Sequence, residues 1–335
     1  MSAKATRISE RPIHVTKIRD MKLIASLLFL LSAAVAGAQE DTMLNALTRD
    51  MGTTKEEPKP VQIFSSERAI HANTTELVGK GRMQFLVTHN FDDIAGSRGG
   101  IKNFFGLDVT TDVRIGFEIG LGRKLDAIVS RAKAAGNISR IFELGFKYRF
   151  LQQTEDNSTP LSLALFVNNA LSTMDASPVP TDENYFREFS DRNSQVVQLI
   201  VARRFGRVSL QLNPTFLHQG YVIPNDQQNI FALGGVIRFP VGRSVNLIVD
   251  YFHPFRNEQS KDSLFSMKGL KFYDPLGLGV EILTAGHVFL LKFSNAREIL
   301  ENRFIPRTTT NWGDGQFRWC FTISRRFVLW RERGE

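Results

Sequence analysis

The chain has few of the features that would cross-link or anchor it. Its 335 residues include a single cysteine, Cys320, which excludes an internal disulfide framework and a metal site built from several cysteines. The longest apolar run, at 23–35, falls short of the roughly 20 residues that a membrane-spanning helix requires. No cysteine follows that run, so a lipoprotein anchor is not expected.

The apolar run at 23–35 has the pattern of a secretory signal peptide. The basic Lys22 precedes it, and small residues follow it up to Ala38, where the pattern predicts cleavage. Met21 begins a signal of ordinary length and is expected to be the true translation start. We therefore assign residues 1–38 to the signal region and expect an exported protein.

The charge of the chain does not favour a nucleic-acid partner. The formal charge is +8, but the signal region carries six basic and two acidic side chains, which leaves +4 for the rest of the chain. No basic helix or zinc-finger spacing supports nucleic-acid binding. The glycines at Gly120 and Gly122 lack the spacing of a phosphate-binding loop.

Residues 39–78 are polar and are interpreted as a periplasmic leader or linker. After them the sequence alternates with period two, as β-strands do. In the segment 111–121, for example, Val113 and Ile115 fall on one face, whereas Asp112 and Arg114 fall on the other. Twelve segments are predicted to be strands: 79–90, 111–122, 125–132, 140–150, 160–170, 193–205, 207–217, 228–239, 244–253, 277–284, 286–293 and 315–328.

The connections between these segments favour a membrane barrel over a soluble β-sandwich. Long and short connections alternate almost without exception, as they do where short periplasmic turns and longer external loops join the strands of a barrel. We therefore predict an all-β fold, a transmembrane antiparallel up-and-down β-barrel of about 12 strands at 79–328 with a tail at 329–335. It is expected in the outer membrane, in contact with its lipid.

Aromatic residues recur at the ends of the predicted strands. On the short-turn side an arginine accompanies each ring, which is the composition of an interfacial girdle. The predicted girdle residues are Phe150, Phe205, Phe239 and Phe327 on that side, and Phe91, Phe216 and Tyr251 on the other.

The polar face of the strands is predicted to line the lumen, with positive and negative charges mixed. This leaves open a salt-bridge network that fills the interior and a water-filled pore with a mild anion preference. Glycines on the same face, such as Gly116 and Gly277, suggest that the leader or an external loop folds into the lumen. The predicted lumen-lining residues are Arg114, Glu118, Glu143, Lys147, Arg149, Arg204, Arg238, Asp250, Glu281, Lys292, Arg318 and Arg326.

No catalytic, cofactor-binding or metal-binding residues are assigned. His89, His218 and His253 lie at the outer ends of strands but share the parity of lipid-facing neighbours, so they are expected to point toward headgroups rather than to converge. A Ser-His-Asp site or a metal site is therefore disfavoured. Cys320, on the inner face, is expected to be a small packing residue.

The chain resembles a Bacteroidota family of exported β-barrel proteins known as a domain of unknown function. The resemblance implies a barrel and the outer membrane, and it supplies no activity or catalytic residue. It rests on GKG at 79–81, FFGLD at 104–108, QLIVAR at 198–203, QLNPT at 211–215, AGHVF at 285–289, FIP at 304–306 and ISR at 323–325.

Three functions remain open. The first is a membrane scaffold or a narrow diffusion channel for small polar or anionic solutes. The second is a binding or assembly partner whose long loops, particularly 171–192 and 254–276, engage a surface ligand or another envelope protein. An outer-membrane hydrolase is the third.

Overall fold

Twelve antiparallel strands close into a barrel, in which each strand pairs with its neighbours in the sequence and β1 pairs with β12. The computed structural model describes residues 58–330 apart from 135 and 137, so the predicted signal region and the leader up to 57 lie outside the described residues. The predicted barrel is confirmed. The strands are β1 (Arg82–Asp93), β2 (Thr110–Gly120), β3 (Leu125–Lys133), β4 (Arg140–Leu151), β5 (Ser162–Ser172), β6 (Asn193–Phe205), β7 (Val208–Gln219), β8 (Asn229–Pro240), β9 (Val245–Phe255), β10 (Leu276–Leu283), β11 (Val288–Ser294) and β12 (Arg318–Val328).

The alternation along β4 shows how the sequence builds this barrel. Glu143 and Lys147 are buried on its inner face, whereas Phe142, Leu144 and Phe146 are exposed on its outer face. A water-soluble sheet would place these apolar side chains inside, because exposing them to solvent is unfavourable. In a membrane barrel the outer face meets lipid and the inner face can be polar.

The connections divide between the two ends of the barrel, which we call the turn side and the loop side. The longer connections are on the loop side, except that the turn-side connection 152–161 is longer than the loop-side connections 134–139 and 220–228. The turn-side connections are 121–124, 152–161, 206–207, 241–244 and 284–287. The loop-side connections are 94–109, 134–139, 173–192, 220–228, 256–275 and 295–317.

Two α-helices lie in the loop-side connections. Helix α1 (Glu258–Lys268) begins where the Asn257 side chain accepts a hydrogen bond from the backbone N–H of Ser260, and it ends at Gly269 in the left-handed conformation. Helix α2 (Glu301–Arg307) is buried along its whole length. Within the part of the chain that the structure describes, no helix is long and apolar enough to cross a membrane.

Residues 60–78 run inside the barrel and do not extend away from it as a linker. Most of them are buried. Two glycines of the wall allow the close approach, because a Cβ at Gly277 would lie 2.5 Å from Cγ2 of Ile70, and one at Gly120 would meet the carbonyl oxygen of Gly79 at 1.8 Å. Residues 60–78 of the leader therefore occupy the lumen from the turn side.

The loop 295–317 folds inward from the loop side and meets the leader near the centre of the barrel. Together with the wall of β5–β9 they form an apolar core. Phe304 of α2 packs against Phe252 of β9 and against the ring of His71, with ring centroids 5.2 and 5.0 Å apart. On the remaining wall, much of the interior is polar and charged.

The occupied lumen as the candidate functional site

The structure places the side chains of the twelve predicted lumen residues inside the barrel or at its turn-side rim. Four arginines at that rim are partly exposed and reach toward the leader, namely Arg149, Arg204, Arg238 and Arg326. The other eight are buried within the wall: Arg114, Glu118, Glu143, Lys147, Asp250, Glu281, Lys292 and Arg318.

Part of this set forms a network of ion pairs across β2–β4. The guanidinium Nη2 of Arg114 lies 2.6 Å from Oε2 of Glu143, and the ammonium of Lys147 lies 2.7 Å from Oε1 of Glu118. Asn168 donates to the other oxygen of Glu143 at 2.9 Å. Buried charges of this kind persist because each has an opposite charge and hydrogen-bond partners.

Other cations of the wall donate hydrogen bonds to the backbone of the leader. The Lys292 ammonium is 3.1 Å from the carbonyl oxygen of Ile70, and Arg204 is 2.9 Å from that of Gln62. The ammonium of Lys147 also reaches a leader carbonyl, at Glu67, over 3.2 Å. The leader thus satisfies these donors with neutral acceptors.

Carboxylates of the wall accept hydrogen bonds from the leader in turn. Oδ2 of Asp250 accepts from the backbone N–H groups of His71 and Ala72 at 2.7 and 2.9 Å. Asp126, on β3, accepts from the N–H of Val78 at 2.7 Å. These bonds satisfy backbone groups that would otherwise be buried without partners.

The leader turns back on itself between Arg68 and Asn73, which form an antiparallel bridge. His71 lies in this turn and contacts three other elements. Its Nε2 is 2.8 Å from Oγ of Ser294, its Nδ1 is 3.5 Å from Oδ1 of Asp250, and its ring packs on Phe304. Burial lowers the pKa of His71, and the nearby Asp250 opposes that shift. Since His71, Ser294 and Asp250 are all buried, the arrangement positions the leader and offers no access for a substrate.

Ion pairs also connect the loops over the loop-side end of the barrel. Glu183 pairs with Arg303 at 3.0 Å and with Arg307 at 2.7 Å. Arg307 also pairs with Asp226 at 2.8 Å, and Asp226 binds Arg256. The inward-folded loop is therefore fixed to three other loops; we call these five residues the loop clamp.

Two small cavities lie beside the leader and under the loops. A cavity of about 30 Å³ lies between the leader and the wall of β1, β11 and β12, where Arg68, Lys292 and Thr322 are among its lining residues. A second cavity of about 40 Å³ lies under the loops, beside Arg192 and Asn302. Each has room for a few water molecules.

The seven predicted girdle residues lie on the outer face of the barrel, exposed or half-buried. Arg203 and Arg325 stack over the rings of Phe205 and Phe327, with distances of 4.9 and 5.2 Å to the ring centroids.

The three strand-end histidines also lie outside. His89 stacks on Phe321, His218 contacts Asn229 and His253 contacts Asp274. Among residues 58–330, as far as they are described, no group of three or more His, Cys, Asp or Glu side chains is placed to hold a metal ion.

Sequence reasoning missed several residues of the occupied lumen. Asp126 has the parity of the inner face and could have been found by extending the alternation to β3. His71 and Glu67 belong to the leader, where no alternation marks a buried face. Glu301 is buried in α2. The loop that contains α2 was predicted to be external because of its length.

No curated protein matches the sequence. Among solved structures, the fold is similar to the KdgM porin, with a TM-score of 0.45, 8% identity, and coverage of 73% of this chain and 99% of that one. It is also similar to the NanC porin, with a TM-score of 0.44, 5% identity, and coverage of 73% and 98%.

A third similar structure is the toluene transporter TodX of P. putida, with a TM-score of 0.38, 9% identity, and coverage of 80% of this chain and 95% of that one. A family model described as "Membrane bound beta barrel domain (DUF5777)" matches residues 64–327, which include the inner leader and nearly all of the barrel. The chain therefore belongs to the family of this membrane-bound β-barrel domain.

Proposed function

We propose that the protein is an outer-membrane channel for small polar or anionic solutes that is closed at rest by its own leader. The observation that carries the proposal is the pairing of wall cations with leader carbonyls, as at Lys292 and Arg204. A carbonyl oxygen leaves the positive charge unneutralised. When the leader withdraws, water or a solute anion takes the place of these acceptors.

Four arginines at the turn-side rim support an anion preference, namely Arg149, Arg204, Arg238 and Arg326. Over the whole wall, the eight basic side chains of the predicted lumen set meet eight buried acidic ones, so the preference is expected at the turn-side entrance; the acidic side chains are Asp92, Asp93, Asp112, Glu118, Asp126, Glu143, Asp250 and Glu281. A cluster of basic groups at a narrow entrance raises the local concentration of anions. In the closed state the barrel is a membrane scaffold that occupies the outer membrane without conducting.

The predicted signal peptide and the connection lengths support one orientation. Export to the outer membrane places the short turns in the periplasm and the longer loops outside the cell. The leader would then enter the lumen from the periplasm. It is therefore positioned so that a periplasmic event can withdraw it.

Conductance in planar bilayers tests the proposal. We expect the full chain to remain closed and a chain without residues 40–78 to conduct, with a reversal potential in a salt gradient that shows anion preference. Adding Lys292→Met and Arg204→Gln to the shortened chain should reduce that preference, whereas Lys261→Met, in an exposed loop, should leave it unchanged. Equal conductance of the full and shortened chains would rule out closure by the leader.

A second candidate function is recognition by the loops, in which the barrel presents a binding surface to a ligand or another envelope protein. The loop clamp favours it, because Glu183 and Asp226 hold several loops in one arrangement before any partner binds. Preorganised loops lose less entropy on binding. A partner that co-purifies with the wild-type barrel but not with Glu183→Gln, while both variants stay closed in bilayers, would support this function.

A further inference from the structure

The connection between β1 and β2 carries an exposed apolar surface that the closed lumen does not use. Ile101 is 80% exposed and Phe104 is 61% exposed, and Phe105, Leu107 and Val109 are exposed as well. We call these five residues the apolar loop patch. Scattered apolar side chains are ordinary on protein surfaces, but a contiguous group with two phenylalanines marks an interaction surface.

The backbone of this loop holds the two phenylalanines in an uncommon conformation. Phe104 has φ 46° and ψ 47°, and Phe105 has φ 53° and ψ 40°, so both lie in the left-handed region. Non-glycine residues rarely adopt it, and a bulky aromatic residue does so against a steric cost. Two successive aromatic residues in the left-handed conformation indicate that contacts of the fold determine the direction of the two rings.

The loop is also fixed to the end of the barrel wall. Gly106 packs so closely on β1 that an added Cβ would stand 2.3 Å from the carbonyl oxygen of Asp92. The N–H of Asp92 donates in turn to the carbonyl oxygen of Val109 at 3.0 Å. Phe91, a residue of the outer girdle, pairs with Thr110 of β2, which directly follows Val109 in the chain. The apolar loop patch therefore ends beside a girdle residue of the lipid-facing surface.

We propose that the apolar loop patch inserts into the bilayer leaflet on the loop side and anchors this edge of the barrel at the headgroup boundary. Two observations identify lipid as the occupant. The patch is continuous with the lipid-facing wall, and the exposed cations Arg98 and Lys102 flank it. Aromatic rings with adjacent basic groups suit the boundary between acyl chains and phosphate. This inference stands independently of whether the lumen ever opens.

Single-cysteine labelling tests the proposal in the full chain. In a Cys320→Ser background, an environment-sensitive fluorophore is attached to Phe104→Cys, with Ile101→Cys as a second site. The barrel is reconstituted in phosphatidylcholine–phosphatidylglycerol vesicles that contain nitroxide-labelled lipid. We expect blue-shifted emission and quenching by the nitroxide at both sites, comparable to a label at Phe117→Cys on the lipid-facing side of β2.

The matched water control is Asp175→Cys, whose native side chain is fully exposed in another loop. Its label should be quenched by aqueous iodide and not by the lipid nitroxide. If the labels at residues 104 and 101 behave like the label at 175, the proposal is overturned. The same result is expected if a protein partner, and not lipid, covers the patch. Circular dichroism and protease resistance of every variant establish that the barrel is folded, so that each result is decisive.

Discussion

Arg68 of the leader and Glu301 of α2 meet inside the barrel, where the guanidinium Nη2 lies 2.7 Å from the carboxylate Oε1. Asn73 donates to the same oxygen at 2.9 Å. Arg68 reaches this point from the turn side and Glu301 from the loop side. This ion pair, in which Glu301 is buried and Arg68 is half-buried, joins the two segments that fill the lumen.

Removing either partner of this pair should leave a buried charge without compensation. We expect Arg68→Met and Glu301→Leu each to lower the free energy of unfolding by roughly 3–5 kcal/mol. The double substitution should cost less than the sum of the two, because no charge is then stranded. Urea unfolding of the barrel from lipid vesicles measures all three.

The exposed pair Glu258–Lys261 on α1 provides the matched control, with a separation of 2.9 Å. Its substitution should change stability little, since exposed ion pairs are screened by water. Additive effects of Arg68→Met and Glu301→Leu would contradict the direct contact.

Crowding at Gly277 should loosen the leader. In Gly277→Val the added carbons must displace Ile70 and the ring of His71, which lie 2.5 and 2.9 Å from the position of a Cβ. We expect a loss of roughly 1–3 kcal/mol, as for other overpacked interiors, together with a higher frequency of channel openings. Gly122→Val, at a turn where an added Cβ meets nothing within 4 Å, should open no more often than wild type. The prediction fails if the two variants behave alike.

Acid should favour withdrawal of the leader through His71. Burial lowers the pKa of His71 below its ordinary value of 6.5, with Asp250 opposing the shift and Lys292 and Arg68 adding to it. Because the pKa of His71 is lower inside the barrel than in water, His71 binds a proton more readily after the leader has withdrawn. The closed state is therefore most stable above about pH 6.5 and loses stability as the pH falls below that value.

Channel recordings between about pH 7.5 and about pH 5 measure this effect. Openings of the wild type should become more frequent toward the acidic end, and His71→Gln should remove most of that response. His253→Gln, which alters an imidazole on the outer face, should retain it. A pH response that survives in His71→Gln unchanged would show that another group controls the closed state.

The loop clamp should tolerate much stronger acid. Burial alone would raise the pKa of Glu183, but Arg303 and Arg307 outweigh it and lower the pKa to about 2. The stabilisation from Glu183 is present above its ordinary pKa of 4.5 and is lost as the pH falls from there toward 2. Protease cleavage within 173–192 should accordingly accelerate only below about pH 4.5.

Glu183→Gln should make that loop sensitive to protease at neutral pH, because the uncharged amide no longer pairs with the two arginines. Asp175→Asn, in the same loop but with an exposed carboxylate, should not. Equal cleavage of the two variants at neutral pH would show that the clamp does not hold the loop.

The strands and their faces could be predicted because the position of each residue within its own strand decides whether its side chain faces lipid or the lumen. In β4 and β12 the apolar residues must face lipid and the polar residues must face inward. The sequence of each segment therefore alternates between apolar and polar residues. The same parity identified residues such as Glu143 and Lys292, which lie inside the barrel. Only the limits of the strands shifted, by one to three residues for most of them.

The filling of the lumen could not be predicted in the same way. The burial of His71 depends on Asp250 and Ser294, which are about two hundred positions away in the sequence and come together only when the barrel closes. Glycines of the inner face gave the one local signal, since Gly277 leaves the space that Ile70 occupies. The glycines of the wall thus predicted an occupied lumen. The sequence of the leader has no alternation of polar and apolar residues, so it did not identify the leader as the occupant.

Amide hydrogen exchange of the full chain in a lipid bilayer tests closure by the leader most directly. The N–H groups of His71, Ala72 and Val78 donate to buried carboxylates, so peptides covering 61–78 should exchange slowly, as the strands do, while the exposed turn at 155–158 exchanges fast. If peptides of 61–78 exchange as fast as that turn, the leader does not reside in the lumen and the account is wrong.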